Sequence, residues 1–293
     1  MYITYNYLNN CNDNDIEGVG SQYLKIITLY AVTKYYNLKY IHIPIRIGHN
    51  YNNDDDWDNK WDRMFNLKKI SYNDEIDLEK IEKNFTIDNY PFELLIKDKT
   101  ENKLHFYFCV LQKFIDNRDY LLETIQDDII NAYNENNMYR TLIYDKNKIN
   151  IAIHIRVFND CDTVTEDINK YLSDDPNYSA RYYLTADIYI SLIEDLKEIY
   201  KNSDIHIFSQ EKYFNLKYEK LRYINNIKIH FDDIDTFDIF NHLCKADVLV
   251  MGLSTLSIIA AFYNKNTIIN IPYETLPALN KWIKYIPGTK LKI

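Results

Sequence analysis

A histidine and an arginine stand two residues apart at the end of an apolar segment, residues 151–160 (IAIHIRVFND). Side chains alternate along a strand, so the three isoleucines form one buried face while His154 and Arg156 share the other. Arginine suits phosphate because its planar guanidinium donates two parallel hydrogen bonds. The pair indicates an anion site at a strand end. The alternative is a strand edge whose two cations pair with neighbouring carboxylates.

A second candidate segment, residues 251–262 (MGLSTLSIIAAF), follows Gly252 with three hydroxyls at the start of an apolar helix: Ser254, Thr255 and Ser257. The first turn of a helix has free backbone N–H groups and a partial positive charge, and hydroxyls add further donors. This pattern predicts a pocket for a diphosphate. Helix capping is the alternative, and it explains one hydroxyl rather than three.

A third candidate, residues 17–22 (EGVGSQ), resembles a glycine-rich phosphate loop. Gly18 and Gly20 would allow close approach of a ligand to the backbone, with Glu17 at the mouth of the loop and Gln22 nearby. The residues before it form a polar opening with no apolar strand, so a dinucleotide-binding fingerprint lacks its required context. The same objection weakens a methyltransferase interpretation, and a plain loop-to-helix turn stays open.

A fourth candidate is acidic. Asp232, Asp233 and Asp235 follow a short apolar strand in residues 229–235 (IHFDDID). Carboxylate oxygens are the ligands that Mg²⁺ and Mn²⁺ prefer, so this segment could hold a metal bound to a nucleotide-sugar diphosphate. A solvated acidic loop is the alternative in so acidic a chain.

The elements that must position these residues alternate between strands and helices. Periodicity predicts helices at 57–65, 181–201, 211–221 and 236–246, and strands at 39–45, 150–156, 204–209, 227–231, 247–252 and 267–272. This order predicts an α/β fold with parallel sheets, in which ligands bind beyond the carboxyl ends of the strands. The polar stretch 133–148 predicts a boundary between domains 1–147 and 148–293.

Length and charge narrow the class of protein. The chain has 293 residues, enough for two domains, and a net charge of −9 that argues against a general nucleic-acid binder. Its apolar runs are too short for a membrane span, and its start lacks the features of a secretion signal. The four cysteines, Cys11, Cys109, Cys161 and Cys244, show no metal-binding spacing. We expect reduced thiols in a cytoplasmic protein.

Taken together, the segments resemble the fucosyltransferase superfamily, which includes α1,2-, chitooligosaccharide, α1,6- and protein O-fucosyltransferases. Residues 17–44 resemble its N-terminal Gly-x-Gly-x-Gln loop and helix, and residues 154–160 (HIRVFND) its His-x-Arg-x-Gly-Asp motif. Residues 238–263 resemble its Ser/Thr-rich C-terminal motif. The resemblance covers about a quarter of the chain.

The resemblance implies a GT-B architecture, in which two Rossmann-like domains with parallel sheets face each other across a cleft. The N-terminal domain is the acceptor side, and the C-terminal domain binds the nucleotide sugar. The implied reaction transfers fucose from GDP-fucose to a glycan hydroxyl with inversion and without a required metal or other cofactor.

The resemblance also assigns roles by position. Arg156 would hold the β-phosphate and aid departure of the leaving group, and Glu17 would be the general base. The implied donor-binding residues are His154, Asn159, Asp238, Ser254, Thr255, Ser257, Gly18, Gly20 and Gln22, with Asp238 reading the guanine edge. Phe158 and Asn159 depart from the family's Gly and usual Asp, which leaves the geometry of that loop open.

Two other classes stay open. One is a metal-dependent GT-A glycosyltransferase that uses Asp233 and Asp235. The other is a protein without catalytic activity that binds a nucleotide sugar or a glycan.

Overall fold

A computed structural model describes residues 2–5, 18–44, 55–72, 82–86, 103–107, 118–136, 138, 141–157, 184–231, 234–272 and 278–293. The chain divides into two compact units, Met1–Tyr139 and Arg140–Ile293. Each unit has its own parallel sheet. The predicted α/β class with two parallel sheets is confirmed.

The first unit has a sheet of strand order β2-β1-β4-β3, with every described pair parallel. Its elements are β1 (Tyr2–Tyr5), α1 (Val19–Tyr35), β2 (Lys39–Tyr40), α2 (Trp57–Phe65), a 3₁₀ helix (Leu67–Ile70), β3 (Glu82–Thr86), β4 (Lys103–Tyr107) and α3 (Arg118–Asn134). Helix α1 is buried along most of its length, and Tyr23 stacks on Phe65 of α2 with ring centroids 3.7 Å apart. Helix α2 ends at Asn66 in the left-handed conformation, which asparagine tolerates.

The second unit has a sheet of strand order β10-β9-β8-β5-β6-β7, again parallel at every described pair. Its elements are β5 (Ile149–His154), α4 (Ala186–Ile199), β6 (Ser203–Phe208), α5 (Glu211–Tyr218), a 3₁₀ helix (Glu219–Tyr223), β7 (Ile227–His230), α6 (Thr236–Lys245), β8 (Val248–Val250), α7 (Thr255–Tyr263), β9 (Thr267–Asn270) and β10 (Ile283–Lys284).

The core of the second unit explains the alternation in β5. Ile151 and Ile153 are fully buried in one cluster with Leu192 and Leu196 of α4. Thr185 is the N-cap of helix α4, and its hydroxyl accepts a hydrogen bond from Ile188 N. Because alternate residues face opposite sides of the sheet, His154 points away from this cluster.

The first unit differs from the expectations in three places. The opening residues include a strand, because tyrosine, isoleucine and threonine all favour strands. This strand, β1, is buried and pairs with both β2 and β4. Helix α1 begins at Val19, so Gly20 and Gln22 lie inside a helix rather than in the predicted loop. The predicted strand 39–45 reduces to Lys39–Tyr40 among the described residues.

The chain divides into its two units at residue 140, and the predicted domain boundary at 148 stays a prediction. The intervening residues belong to the second unit because they bond to α6. Thr141 N and Oγ1 donate to Asp238, Ile143 N donates to Nε2 of His242, and Tyr144 OH donates to His242 O. Within the described part of the chain, no helix combines the length and apolar character that a membrane crossing requires.

Candidate anion-binding site at the carboxyl edge of the second sheet

Strand β5 lies between β6 and β8, so the ends of three parallel strands meet at one edge of the sheet. His154 is the last residue of β5 and pairs across to Phe208 of β6, which in turn pairs to His230 of β7. Residues paired across strands share a face of the sheet. His154, Phe208 and His230 therefore form one row of side chains along the carboxyl edge.

Backbone hydrogen bonds hold the chain extended beyond the formal end of β5. Ile155 N donates to Phe208 O at 3.0 Å, and the buried Ser209 hydroxyl donates to Ile155 O at 2.9 Å. Arg156 follows, and its side chain is only partly buried. Ile155 and Val157 on either side of it are buried, so the alternation of β5 continues and Arg156 shares a face with His154.

The positive charge of Arg156 affects the pKa of His154. Burial lowers the pKa of His154 from 6.5 to about 4, and the nearby Arg156 guanidinium contributes to this shift. His154 is therefore a neutral imidazole at pH 7, and Arg156 supplies the positive charge of the pair.

Gly252, two residues beyond the end of β8, lets the two strand ends approach closely. A Cβ atom on Gly252 would lie 2.5 Å from the carbonyl oxygen of His154 and 3.0 Å from its Nδ1. The first distance is shorter than real Cβ contacts and involves backbone. A side chain at position 252 would therefore displace His154.

Helix α7 follows directly, and its three candidate hydroxyls have different surroundings. Ser254 is the N-cap and accepts from Leu256 N at 3.3 Å. Ser257 is fully buried, accepts from Gly252 N at 3.2 Å, and hydrogen-bonds to Nδ1 of His154. Thr255 is partly exposed at the first helical position, and its hydroxyl has no hydrogen-bond partner among the described residues.

The contact between His154 and Ser257 joins two segments that are 103 residues apart in the sequence. It brings the end of β5 and the start of α7 to the same edge of the second sheet. This edge combines a guanidinium, an imidazole, a helix N-terminus and the Thr255 hydroxyl, all of which favour an anion. The use of these groups in binding stays a prediction.

Asp238 lies in the first turn of α6 and already has partners. Its two carboxylate oxygens accept from Thr141 N at 3.1 Å and from Thr141 Oγ1 at 2.7 Å. Its carbonyl oxygen lies 2.6 Å from Nδ1 of His242. Asp238 thus anchors residues 141–144 to the second unit, and its reading of a guanine edge stays a prediction.

The remaining predicted site residues fall elsewhere. Glu17 and Asn159 lie outside the described residues, as do Phe158, Asp232 and Asp233. In the first unit, Gly18 is the N-cap of α1 with φ −67°, and Gly20 and Gln22 are buried in that helix. Neither glycine needs a conformation that other residues disfavour, so their part in donor binding is a prediction without a backbone argument.

The acidic segment also has a structural role. Asp235 caps α6 by accepting from Phe237 N at 2.8 Å. Its carboxylate satisfies an orphan N–H of the helix. Whether Asp233 and Asp235 together hold a metal stays a prediction, because Asp233 is not described.

Two positioning residues were missed by the sequence analysis. Ser209 fixes the backbone before Arg156, and Gly252 was noted only as a strand end. Ser209 directly follows β6 as Ile155 directly follows β5, and adjacent parallel strands place such residues side by side. That positional equivalence was the available signal.

A cavity of about 500 Å³ in the second unit lies away from this edge. Its lining includes Asp247, Asn264, Lys265, Asn266, Lys281 and Trp282. These residues precede β8, β9 and β10, so the cavity opens at the amino ends of the strands. Ligands of parallel sheets bind at the carboxyl ends, and we therefore place the candidate site there.

No protein-family model matches the chain, and no curated protein matches it. Solved structures with similarity to it include POFUT1 in complex with GDP, at TM-score 0.44 and 12% identity over 90% of this chain and 94% of that one. POFUT1 in complex with GDP-fucose gives 0.41 and 11%, over 90% and 95% of the two chains. The POFUT1 apo form gives 0.42 and 11% over the same shares. At these values the likeness carries no conclusion about the activity of this chain.

Proposed function

We propose that this chain is an inverting glycosyltransferase, and specifically one that transfers fucose from GDP-fucose to a hydroxyl of a glycan. The observation that carries the proposal is the convergence of Arg156, His154 and the start of α7 at one sheet edge, through the contact of His154 with Ser257. This set of groups matches the pyrophosphate of a nucleotide sugar in charge and in donor number.

The chemistry that this edge supports is stabilisation of a leaving group. In the proposed reaction the acceptor oxygen forms a bond to the anomeric carbon while the bond from that carbon to the β-phosphate oxygen breaks. The electron pair leaves with GDP, and the acceptor proton goes to a base. Positive charge on the sugar develops as in glycoside hydrolysis. Arg156 and the helix N-terminus compensate the charge that grows on the diphosphate.

The roles proposed for Thr255, Ser254 and His154 follow from their positions, and the role proposed for Glu17 comes from the resemblance to fucosyltransferases. Thr255 and the backbone of α7 donate hydrogen bonds to the diphosphate, and Ser254 holds the helix start in shape. His154 donates a hydrogen bond without adding charge. Glu17 accepts the proton of the acceptor hydroxyl, a role that requires hydrogen-bond reach to that hydroxyl. The acceptor side is assigned to the first unit, and the protein requires no metal.

The first test is a thermal-shift screen against GDP, UDP, CMP and dTDP, each with and without Mn²⁺. A ligand that binds only the folded state raises the apparent stability. We expect the largest shift for GDP, without dependence on Mn²⁺. Release of GDP from GDP-fucose in the presence of a panel of glycan acceptors then tests transfer. Stabilisation by UDP instead of GDP would contradict the assignment of the donor.

The metal-dependent alternative rests on Asp233 and Asp235. Full activity in EDTA would eliminate it, whereas loss of activity that Mn²⁺ restores would favour it over the proposal. Asp235→Asn sharpens the test, because the amide oxygen can still cap α6 while it binds a cation less well than a carboxylate.

The alternative without catalysis has its own signature. It predicts calorimetric binding of GDP with no transfer and no hydrolysis of any donor in the panel. Binding and turnover measured on one preparation therefore distinguish a glycosyltransferase from a binding protein without catalytic activity.

A further inference from the structure

Ser257 makes contacts that a direct phosphate ligand would not need. It is fully buried, and its Oγ lies between the backbone N–H of Gly252 and Nδ1 of His154. Those two contacts belong to the second unit itself. This geometry gives Ser257 a role that differs from the one implied by its place in the Ser/Thr-rich segment.

One direction of the hydrogen bonds around Ser257 gives the buried hydroxyl hydrogen an acceptor. The Gly252 N–H can only donate, so Ser257 Oγ accepts that bond, at 3.2 Å. Among the described residues, the acceptor within reach of the Ser257 hydroxyl hydrogen is Nδ1 of His154. A nitrogen that accepts a hydrogen bond carries no proton, and in a neutral imidazole the proton then lies on Nε2.

We propose that Ser257 is a positioning residue that fixes the tautomer of His154, so that the imidazole presents an Nε2–H donor at the carboxyl edge of the second sheet. The chain runs from Gly252 N–H to Ser257 Oγ and from Ser257 O–H to His154 Nδ1. No bond is broken or formed. The backbone of Gly252 thus sets which ring nitrogen of a residue on another strand can donate.

This arrangement matters for an anion because the other tautomer would present a lone pair. A bare Nε2 would repel a phosphate oxygen, whereas Nε2–H donates to it. The effect on donor binding rests on the proposed function, but the tautomer does not. The tautomer can therefore be measured without any ligand.

The direct experiment is a long-range ¹H–¹⁵N correlation spectrum of the full chain labelled with ¹⁵N-histidine, recorded at pH 7. Cross-peak patterns distinguish the two neutral tautomers and the cation. Comparison with His154→Asn assigns the signals of His154. We expect the Nε2–H pattern. An Nδ1–H pattern, or a cationic ring, would overturn the proposal.

Two substitutions at position 257 extend the test. Ser257→Thr keeps the hydroxyl and should keep the Nε2–H pattern, while Ser257→Ala should give a mixture of tautomers. We expect Ser257→Ala to weaken GDP binding roughly fivefold, the value of one lost hydrogen bond, and Ser257→Thr to restore it. An unchanged Nε2–H pattern in Ser257→Ala would contradict the role of Ser257.

Ser203→Ala is the matched control, because it removes one hydroxyl bond, to Tyr200 O, at the opposite edge of the same sheet. It should change neither the tautomer nor the affinity for GDP. If the wild type shows the Nε2–H pattern but does not bind GDP, the proposed function fails while the role of Ser257 stands. If Ser257→Ala does not fold, the wild-type and Ser257→Thr spectra still decide the tautomer.

Discussion

The carboxyl edges of the two sheets differ in the groups that surround their histidines. In the first unit, His42 follows β2, and its Nε2 lies 2.6 Å from Oδ1 of Asp62. Tyr40 OH lies 3.1 Å from Nδ1 of His42. In the second unit, the edge brings together the Arg156 guanidinium, the neutral imidazole of His154 and a helix N-terminus.

The two edges differ in the groups that lie beside the histidine. At the first edge a carboxylate is part of the cluster, and the hydroxyl of Tyr23 also donates to it at 3.4 Å. Burial, with the charge of Asp62, raises the pKa of Tyr40 well above its usual value, so Tyr40 remains a donor. The histidine of the first edge is thus bonded to a carboxylate, whereas the histidine of the second edge lies beside a guanidinium and the N-terminus of α7.

The largest effect expected from this contrast is at Arg156. Arg156→Ala should lower the rate of transfer on the order of 10²-fold or more, because the charge that stabilises the leaving group is lost. Release of GDP from GDP-fucose measures this rate. Arg222→Ala is the control: Arg222 donates to Glu211 at 3.0 Å and to Asn215 at 2.7 Å, and it lies before the amino end of β7. Equal losses in both variants would contradict a special role for Arg156.

The next effect tests whether the first edge is purely structural. Asp62→Ala removes the acceptor of His42 Nε2 and should lower the free energy of unfolding by about 2 kcal/mol, without changing the affinity for GDP. Urea denaturation and calorimetry measure the two quantities. Asp56→Ala, which breaks the exposed pair with Arg63, should leave both nearly unchanged. A loss of GDP affinity in Asp62→Ala would contradict a purely structural role for the first edge.

A third effect is the acid sensitivity of His154. Its pKa is about 4 in the folded chain and 6.5 when exposed, so below pH 6.5 the unfolded chain binds a proton that the folded chain does not. The free energy of unfolding therefore falls as the pH falls from 6.5 towards 4. From pH 7 to pH 5 the contribution of His154 is about 2 kcal/mol.

His154→Asn isolates this contribution, because its amide oxygen can still accept from Ser257 but does not titrate. Urea denaturation at pH 7 and pH 5 should show a smaller loss in the variant than in the wild type. His206 has a pKa that burial also lowers to about 4, and its contribution is common to both proteins. Identical losses would mean that His154 is not buried as a neutral ring.

The smallest effect expected is at Gly252. Gly252→Ala places a methyl group against the His154 carbonyl and should weaken GDP binding about tenfold, or about 1.4 kcal/mol. Gly288→Ala is the contrasting variant, because its Cβ would meet no atom within 4 Å but its φ of +80° strains alanine. It should lower stability and leave GDP affinity unchanged. Normal GDP affinity in Gly252→Ala would show that His154 tolerates the displacement.

The second unit was largely predictable because its strands are apolar and alternate regularly. The expected helix at 236–246 differs from α6 by one residue at its end, and the expected strand at 204–209 differs from β6 by one residue at each end. The rule that ligands bind at the carboxyl ends of parallel strands then placed His154 and Ser257 at one edge. Their contact confirms that placement, though not the binding itself.

The first unit was less predictable for physical reasons. Strand β1 has only four residues, two of them tyrosines, so it carried too short a pattern to distinguish it from the polar opening. In the second unit, the part that could not be predicted is the different surroundings of Ser254, Thr255 and Ser257, which depend on contacts with β5, about a hundred residues earlier in the chain. The spacing of residues along the sequence does not predict such a contact.

The central claim is that the carboxyl edge of the second sheet binds a pyrophosphate. Calorimetric titration of the wild type and Arg156→Ala with GDP, GMP and guanosine tests it most directly. We predict that the wild type binds GDP at least about tenfold more tightly than GMP, and that Arg156→Ala loses this preference. Equal affinities of the wild type for GDP and GMP, or a preference that survives in Arg156→Ala, would contradict the claim.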